Sequence, residues 1–358
     1  MAKVRVGVIG AGSWTVGSHL PTLMERSEEV SLVAASTIGS ERQAILRDLW
    51  HFPVVTTDYR EVLGAGIDAC IVASPAGLHF EHAAAALAAG CHVLVEKPFT
   101  VRSRDAWTLV ELGRTQQREI VVSYGWNYVD MIERTREMMR STPGLGRVES
   151  LSIYMASGMR EMLTGTGAYP DAATELRPDP ATWCDPDLAG GGYGAGQLSH
   201  IFALVRWLLG VQIREVLAVM EPPPSGSAVE LHDAALLRLD GGGIGAVVGS
   251  SMHAGAGGGK HQLSIRAIGD RGQFHLDLER ERAAFFAPDS GSQTVDVEAG
   301  QGAYQCVGPP NALIDAAQGR QGTNRSPGVL GAEVVEVVEA LYASQSQRGW
   351  ATVGSGQG

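Results

Sequence analysis

Two short stretches in the first hundred residues carry the residue types that a coenzyme-dependent reaction needs. Gly10-Ala11-Gly12 ends an apolar run that starts at Val4, and Glu96-Lys97-Pro98 ends another apolar run. Open α/β sheets bind ligands at the carboxyl ends of their parallel strands. Both stretches are therefore expected at one edge of the same sheet, where a dinucleotide would lie beside an amine and a carboxylate. This combination indicates a dehydrogenase or a reductase.

The glycine turn departs from the usual G-x-G-x-x-G spacing. Its first two glycines stand where a tight bend and the close approach of a pyrophosphate need glycine. Thr15 occupies the position of the third glycine, and Gly17 follows two residues later. This spacing predicts a loop that is about one residue longer than usual and that brings Ser13 and Trp14 to the coenzyme.

The end of the second apolar run bears on the choice of coenzyme. NAD enzymes usually carry an acidic residue there, about 20 residues past the turn, which binds the ribose 2′-hydroxyl. Here Thr37 follows the run without a carboxylate, and Arg42 is close behind. Hydroxyls and a cation suit a 2′-phosphate, so NADP(H) is preferred over NAD(H). The alternative is that Arg42 is a solvated helix residue.

Six apolar runs alternate with helical segments in the first part of the chain. The predicted strands are 4–10, 30–35, 54–55, 69–73, 93–95 and 120–124. The first helix is expected over 19–27. Buried strands that alternate with helices indicate a doubly wound parallel sheet, the α/β Rossmann class, for a coenzyme-binding domain at residues 1–124.

The second half changes to alternating apolar and polar residues joined by glycine-rich turns. The predicted strands are 148–154, 215–220, 234–239, 244–250, 262–269 and 272–278. A meander of such strands predicts an α+β domain with a mostly antiparallel, open-faced sheet at residues 125–346. Its helices are expected over 132–141, 200–209 and 331–344. Residues 347–358 are predicted to be a flexible tail.

The composition argues against several classes of function. A net charge of −11 over 358 residues is unsuited to nucleic acid, because neutralising phosphates needs clustered Lys and Arg. No run approaches the ~20 apolar residues of a membrane span. The chain runs directly from Met1 into a strand without a signal peptide, so a cytoplasmic location is expected. Its four cysteines lack C-x-x-C spacing, which predicts reduced thiols and no metal site.

Motifs along most of the chain have the pattern of a known family. They are Gly10-Ala11-Gly12, Ser74-Pro75 with His79, the run 89–98 that ends in Glu96-Lys97-Pro98, and Gly190-Gly191-Gly192 followed by His200. In these motifs the chain resembles the Gfo/Idh/MocA family, which includes glucose-fructose oxidoreductase, inositol dehydrogenase and related sugar or cyclitol dehydrogenases. The Glu-Lys-Pro stretch is the most specific of them.

The resemblance implies catalytic roles for Lys97 and His200. In the family, the lysine contacts both the nicotinamide region and the substrate hydroxyl, where an ammonium stabilises a developing alkoxide. The family also has an Asp four residues before the histidine, and here that position is Gly196. His200 then acts alone, Gln197 binds the substrate instead, or the reaction differs from simple alcohol oxidation. A core or capping histidine is the structural alternative.

The resemblance also extends the coenzyme site. It implies that Ser74, Pro75 and His79 lie at the coenzyme and that Glu96 holds the strand end next to it. Asn127 takes the position of a family asparagine near the nicotinamide.

A long stretch from Ser157 to Trp183 is rich in Gly, Thr and aromatic residues, and long loops of this kind are usually functional or disordered. We interpret it as a substrate lid in which Arg160, Tyr169 and Trp183 bind a polyol ring. An oligomer contact is the alternative. Lys260-His261, after Gly257-Gly258-Gly259, either approaches the pocket or belongs to a solvated loop, and the solvated loop is favoured.

The favoured function is hydride transfer between C4 of nicotinamide and a carbinol or carbonyl carbon of a sugar, cyclitol or ketosugar. Two alternatives stay open. One is transient oxidation that permits elimination or epimerisation with a recycled coenzyme, and the other is a non-catalytic dinucleotide-binding sensor. The open face of the second sheet needs a cover, so self-association into a dimer or tetramer is expected.

Overall fold

The computed structural model describes residues 2–167, 177, 179–221, 226–252, 261–289 and 291–354. The chain divides into two compact units, which are described separately. The first unit comprises Met1–Tyr124, Gly165–Gly190 and Cys306–Val335. The second comprises Gly125–Thr164, Gly191–Gln305 and Glu336–Gly358.

The first unit contains a parallel six-stranded sheet in the order β3-β2-β1-β4-β5-β6. Its strands are β1 Val4–Ile9, β2 Val30–Ser36, β3 Val54–Thr56, β4 Ala69–Val72, β5 His92–Val95 and β6 Ile120–Val122. The helices between them are α1 Leu20–Glu25, α2 Ser40–Asp48, α3 Tyr59–Gly64, α4 His79–Ala88 and α5 Ser103–Gln116. The doubly wound α/β class predicted from the apolar runs is confirmed.

The sequence predicted that the residue inserted after the glycine turn lengthens the loop. This prediction is wrong, because the structure accommodates the residue in the helix. Trp14 already has helical backbone angles (φ −66°, ψ −44°), and Thr15–His19 forms a π-helical turn that leads into α1. A π turn holds one more residue than the corresponding α turn. The helix therefore starts earlier than the predicted 19–27, and the extra residue widens its first turn.

The second unit contains a nine-stranded sheet in the order β14-β13-β12-β11-β7-β10-β9-β8-β15. Its strands are β7 Val148–Ala156, β8 Ile213–Met220, β9 His232–Leu239, β10 Ile244–Ser250, β11 Gln262–Gly269, β12 Gln273–Asp277, β13 Arg282–Ala287, β14 Gly291–Thr294 and β15 Ala351–Thr352. All pairings are antiparallel except that of β7 with β10. The mostly antiparallel class is confirmed, although the central position of β7 departs from a simple meander.

Strand β15 lies inside the segment predicted to be a flexible tail. Ala351 and Thr352 pair with Val216 and Glu215 of β8, and this ladder satisfies main-chain groups at the edge of the sheet. The tail prediction is therefore wrong for these two residues, while residues 355–358 lie outside the described part of the chain.

The remaining helices are α6 Asp130–Ser141, α7 Arg160–Leu163, α8 Ala181–Cys184, α9 Pro186–Ala189, α10 Ser199–Leu209, α11 Gly308–Ala317 and α12 Gly328–Gln347. Helix α11, which the sequence analysis did not predict, packs against β5 and β6 in the first unit. Within the described ranges, no helix combines the length and apolar character needed to cross a membrane.

Candidate active site

The glycine turn after β1 leaves its main chain open to a ligand. Gly10 has a φ of +82°, and a Cβ there would lie 2.4 Å from the nitrogen of Ser74. Only glycine fits that position. At Gly12, by contrast, the nearest atom to a Cβ would be the Gly10 carbonyl oxygen at 4.0 Å. The turn thus offers a cradle without side chains, which fits the close approach of a pyrophosphate.

The end of β2 carries the residues predicted for the adenosine side. Thr37 is buried, and its N–H donates to the carbonyl of Thr56 at 3.0 Å. Arg42 lies in the first turn of α2, and its guanidinium donates to the carbonyl of Arg177. This bond ties the half-buried Arg42 side chain to the main chain at Arg177.

A buried histidine joins the ends of two neighbouring strands. The ring nitrogens of His79 lie 2.7 Å from the Ser74 carbonyl after β4 and 2.8 Å from the Pro98 carbonyl after β5. A neutral imidazole donates from one nitrogen only, so both bonds at once need the imidazolium. Burial lowers the pKa of His79 by more than the two carbonyl acceptors raise it, so the net pKa is lowered. Next to it, Nδ1 of His82 lies 2.8 Å from the Ser74 hydroxyl. The predicted Ser74-Pro75 turn is thereby fixed.

Glu96 is the central acid of this strand edge. Its Oε1 lies 2.7 Å from Nε2 of His19, and its Oε2 accepts from the Lys97 N–H at 3.2 Å. Burial raises the pKa of Glu96, but the His19 hydrogen bond and the charges of His19 and Lys97 outweigh it, so the net pKa is lowered. Sequence reasoning missed His19, because its partner lies 77 residues away in the chain.

The Lys97 amine stands beside an aromatic ring. Its Nζ lies 5.7 Å from the ring centroid of Trp183 in α8. Burial lowers the pKa of Lys97, and the charges of Glu96 and Cys306 partly restore it. The structure therefore brings two predicted site residues together within the first unit. Tyr169, the other aromatic candidate of that loop region, lies outside the described residues.

Three buried groups near this lysine have metal-ligand chemistry. The ligand atoms of His19, Glu96 and Cys306 all lie within 4.8 Å of one another, the one such trio found in the described parts of the chain. His19 and Glu96 are directly hydrogen-bonded, and Cys306 Sγ lies 3.3 Å from the Ser123 hydroxyl. Two members of the trio are thus joined directly by a hydrogen bond, and the third is hydrogen-bonded to Ser123.

In the second unit, a buried carboxylate holds the glycine turn that precedes His200. Glu230 accepts hydrogen bonds from the N–H groups of Gly192 and Gly194, both at 2.9 Å, and from the Tyr342 hydroxyl at 2.7 Å. Burial raises the pKa of Glu230 in spite of these bonds. Glu230 was not predicted from the sequence, because it precedes a strand with an ordinary alternating pattern.

A π turn over Gly194–Leu198 leads into α10, which begins at Ser199 and carries the buried His200 on its first turn. π turns of this kind often mark functional sites. At Gly196 a Cβ would meet no described heavy atom within 4 Å, apart from the helix's own backbone. The position of the missing family Asp is therefore open, while the neighbouring Gln197 is buried.

Within the same unit, His200 contacts an aromatic cluster through Tyr304. Its ring stands edge-on to Tyr304, with centroids 5.7 Å apart, and Tyr304 contacts Trp126 at 4.9 Å. His261 packs against Trp126 at 5.4 Å and is half-buried, whereas Lys260 lies outside the described residues. Asn127 is fully buried next to Trp126. Tyr304 was not predicted, because it lies in an irregular stretch without periodicity.

Comparison with known proteins identifies the family. A family model described as "Oxidoreductase family, NAD-binding Rossmann fold" matches residues 4–124, and the GFO/IDH/MocA C-terminal domain matches residues 118–275. The chain belongs to the Gfo/Idh/MocA family. The family predicted from the glycine turn and the Glu-Lys-Pro stretch is thus confirmed.

Individual Gfo/Idh/MocA relatives agree with this assignment. Inositol 2-dehydrogenase of Acidothermus cellulolyticus is 27% identical over 239 residues, which cover 66% of this chain and 62% of that protein. Three other curated relatives are matched over only 50% to 52% of their lengths, so this chain spans about half of each.

Two solved structures of the same fold match almost end to end. Levoglucosan dehydrogenase, in complex with NADH and levoglucosan, has a TM-score of 0.79 at 17% identity and covers 99% of this chain and 100% of its own. An inositol dehydrogenase homologue from Azotobacter vinelandii, complexed with NAD+, has a TM-score of 0.79 at 23% identity and covers 98% and 97%. At these identities the likeness shows the fold.

Proposed function

We propose that this chain is an NAD(P)-dependent dehydrogenase or reductase that acts on a CH–OH or carbonyl carbon of a sugar, cyclitol or ketosugar. The observation that carries the proposal is the pair Lys97 and Trp183, in the unit that also holds the open glycine turn. An amine beside an aromatic face suits a polyol, because the ring face packs on C–H groups while the amine meets a hydroxyl oxygen.

The residues around the glycine turn fit a dinucleotide, since Gly12 leaves room and Gly10 permits the bend. A bound nicotinamide coenzyme supplies the hydride acceptor or donor. Lys97 contributes positive charge where an alkoxide develops, which is the most effective kind of transition-state stabilisation. Ser74, Pro75 and His79 belong to a turn that we assign to the coenzyme. Further proposed coenzyme contacts in the same unit are Ser13, Trp14, Thr37 and Glu96. Asn127 is proposed as a coenzyme contact from its match to the family asparagine.

His200 is proposed to carry the substrate proton as general base in oxidation and general acid in reduction. Its ring is held by the edge-on contact with Tyr304. No carboxylate precedes it at residue 196, so aromatic packing takes over part of the orienting role of the family Asp. Gln197 and Arg160 are further proposed substrate contacts.

NADP(H) is the proposed preference over NAD(H). The support is the absence of a carboxylate at the end of β2, together with Arg42, which is held by its bond to the Arg177 carbonyl. A guanidinium donates to phosphate oxygens with its planar fork, whereas a ribose hydroxyl pairs best with a carboxylate.

Self-association through the nine-stranded sheet is also proposed. Val219, Ala234, Val248 and Tyr154 are successive cross-strand partners on β8, β9, β10 and β7, and the three large side chains among them are exposed. A row of this kind on a sheet face is suited to a second copy of the chain.

One observation favours a second candidate reaction on the same site. Gly196 stands where the family has an Asp, so the carboxylate charge that pairs with the family histidine is missing at that position. A weaker base is compatible with transient oxidation that permits elimination or epimerisation, after which the coenzyme returns to its starting state.

The experiment is a fluorescence titration with NADPH and NADH, followed by a panel of sugars and inositols. The proposal predicts saturable binding, tighter for NADPH, and net coenzyme turnover with at least one polyol or ketosugar. Product formation without net coenzyme turnover would select the elimination or epimerisation reaction. Tight binding without any product would indicate the sensor, and absence of binding would overturn all three.

A further inference from the structure

A half-buried arginine stands at one end of the nine-stranded sheet without an acidic partner in the described ranges. Arg160 begins α7, four residues after β7 ends at Ala156. Its main-chain N–H donates to the carbonyl of Ser251 at 3.0 Å, which fixes the start of α7 over the end of β10. Its Nη2 lies 3.2 Å from Nε2 of His232, at the start of β9. The main chain of Arg160 is thus fixed next to the end of β10, and its guanidinium contacts the start of β9.

The contact with His232 sets the charge of the cluster. A guanidinium has no acceptor, so Nε2 of His232 must accept, and the imidazole is neutral with its proton on Nδ1. That Nδ1 lies 3.1 Å from the hydroxyl of Ser250, which faces His232 directly across β9 and β10. Burial lowers the pKa of His232, and the charge of Arg160 lowers it further. The cluster therefore carries one positive charge, with no acid paired to it among the residues that the structure describes.

The Arg160 guanidinium also has N–H groups that its contact with His232 does not use. Of its five N–H groups, one is used by His232, and Nε is closed to solvent without a partner among the described residues. A buried donor without a partner is uncommon and marks a place where a ligand or ion completes the hydrogen bonding. The planar fork of an arginine matches the paired oxygens of a carboxylate or a phosphate.

We propose that Arg160, positioned by His232 and Ser250, binds the carboxylate or phosphate group of a small molecule. That group belongs either to the substrate, which would then be a sugar acid or a sugar phosphate, or to a separate small anion. The assignment of this group to the substrate rests on the proposed function, whereas the existence of the anion site does not. An acidic side chain from a second copy of the chain is the rival occupant.

The test is calorimetric titration of the full chain without coenzyme, with inorganic phosphate and with gluconate, and with uncharged glucitol as the reference. The variants are Arg160→Met and the matched control Arg238→Met. Arg238 is an exposed arginine of β9 that pairs with Glu215 at 2.8 Å. We expect saturable anion binding to the parent and to Arg238→Met, at least tenfold weaker binding to Arg160→Met, and partial recovery in Arg160→Lys.

The proposal is overturned if the parent binds neither anion, or if Arg160→Met binds them as tightly as the parent. A changed oligomeric state in Arg160→Met, with no anion binding by the parent, assigns the arginine to the second copy instead. Circular dichroism of each variant confirms that it is folded before its titration is interpreted.

Steady-state kinetics then distinguishes an anionic group of the substrate from a separate small anion. If the group belongs to the substrate, the ratio of kcat/KM for an acidic sugar to that for its neutral counterpart falls roughly 10- to 100-fold in Arg160→Met. If the anion is separate, that ratio is unchanged, and phosphate binds without competing with the sugar. If no sugar is turned over with either coenzyme, the proposed function fails while the titration still decides the anion site.

Discussion

Nε2 of His19 and Oε1 of Glu96 lie 2.7 Å apart in a site closed to solvent. His19 belongs to the helical turn after the glycine motif, and Glu96 immediately precedes the proposed catalytic lysine. One buried hydrogen bond therefore ties the helical turn that follows the glycine motif to the end of β5, next to Lys97. The same carboxylate raises the pKa of Lys97, which burial lowers.

Replacing Glu96 by Gln should shift the pH profile of ketosugar reduction. Gln keeps an acceptor for His19 but removes the negative charge, so the pKa of Lys97 falls further. The ammonium form is then lost at a lower pH, and the alkaline limb of kcat should move to lower pH. Stopped-flow rates across pH measure this limb.

Glu111→Gln is the matched control for that experiment. Glu111 is an exposed acid of α5 that pairs with Arg114, and its loss should leave the limb in place. An unchanged limb in Glu96→Gln, or an equal shift in both variants, would contradict the electrostatic role of Glu96.

Replacing Gly12 by Ala should weaken coenzyme binding without unfolding the protein. A Cβ at Gly12 clears its neighbours, with the closest atom 4.0 Å away, but it projects into the space proposed for the pyrophosphate. We expect at least a tenfold rise in the dissociation constant for NADPH by fluorescence titration.

Gly17→Ala serves as the control, because a Cβ there has no heavy atom within 4 Å in the described structure and Gly17 lies on the exposed side of the π turn. Its affinity should match that of the parent. Equal affinity in Gly12→Ala would place the coenzyme elsewhere.

Replacing Trp183 by Ala should raise KM for the sugar. The indole face lies 5.7 Å from the Lys97 amine, and loss of an aromatic face costs about 1 kcal/mol, which is roughly fivefold in affinity. Trp183→Phe retains a ring and should recover most of the affinity. Steady-state kinetics with saturating coenzyme decide this, and an unchanged KM in Trp183→Ala would remove Trp183 from the substrate site.

Gly196→Asp, which introduces the family Asp, should shift the acid limb of the pH profile of kcat/KM for oxidation. The position has room for a side chain, and a carboxylate four residues before His200 favours the imidazolium. The neutral form of His200, which acts as the base, then appears only at higher pH, so the acid limb of kcat/KM should move to higher pH. Gly196→Asn has the same shape without the charge, and an equal shift in that variant would show that the effect is steric.

The sequence predicted the six strands of the first sheet to within two residues at each end, because fully buried parallel strands read as short apolar runs between glycine and proline breaks. It also placed α10 within one residue, since its apolar positions repeat with helical period. Both successes depend on local patterns.

The residues that sequence reasoning missed act through long-range contacts. His19 meets Glu96, Glu230 meets Gly192, and Tyr304 meets His200 only after folding brings distant segments together. The π turn at Thr15–His19 was read as a longer loop, because an inserted residue fits either arrangement in the sequence. Helix α11 was missed because two prolines in its first turn resemble a helix breaker, although proline is well tolerated there.

The most direct test of the account is the single-turnover rate of hydride transfer in Lys97→Met, measured with saturating coenzyme and sugar. The side chain keeps its length and loses its charge, so coenzyme affinity should stay within about twofold while the rate falls roughly 10²- to 10⁴-fold. A variant that binds coenzyme normally and transfers hydride at the parental rate would contradict the central claim that Lys97 stabilises the reacting oxygen.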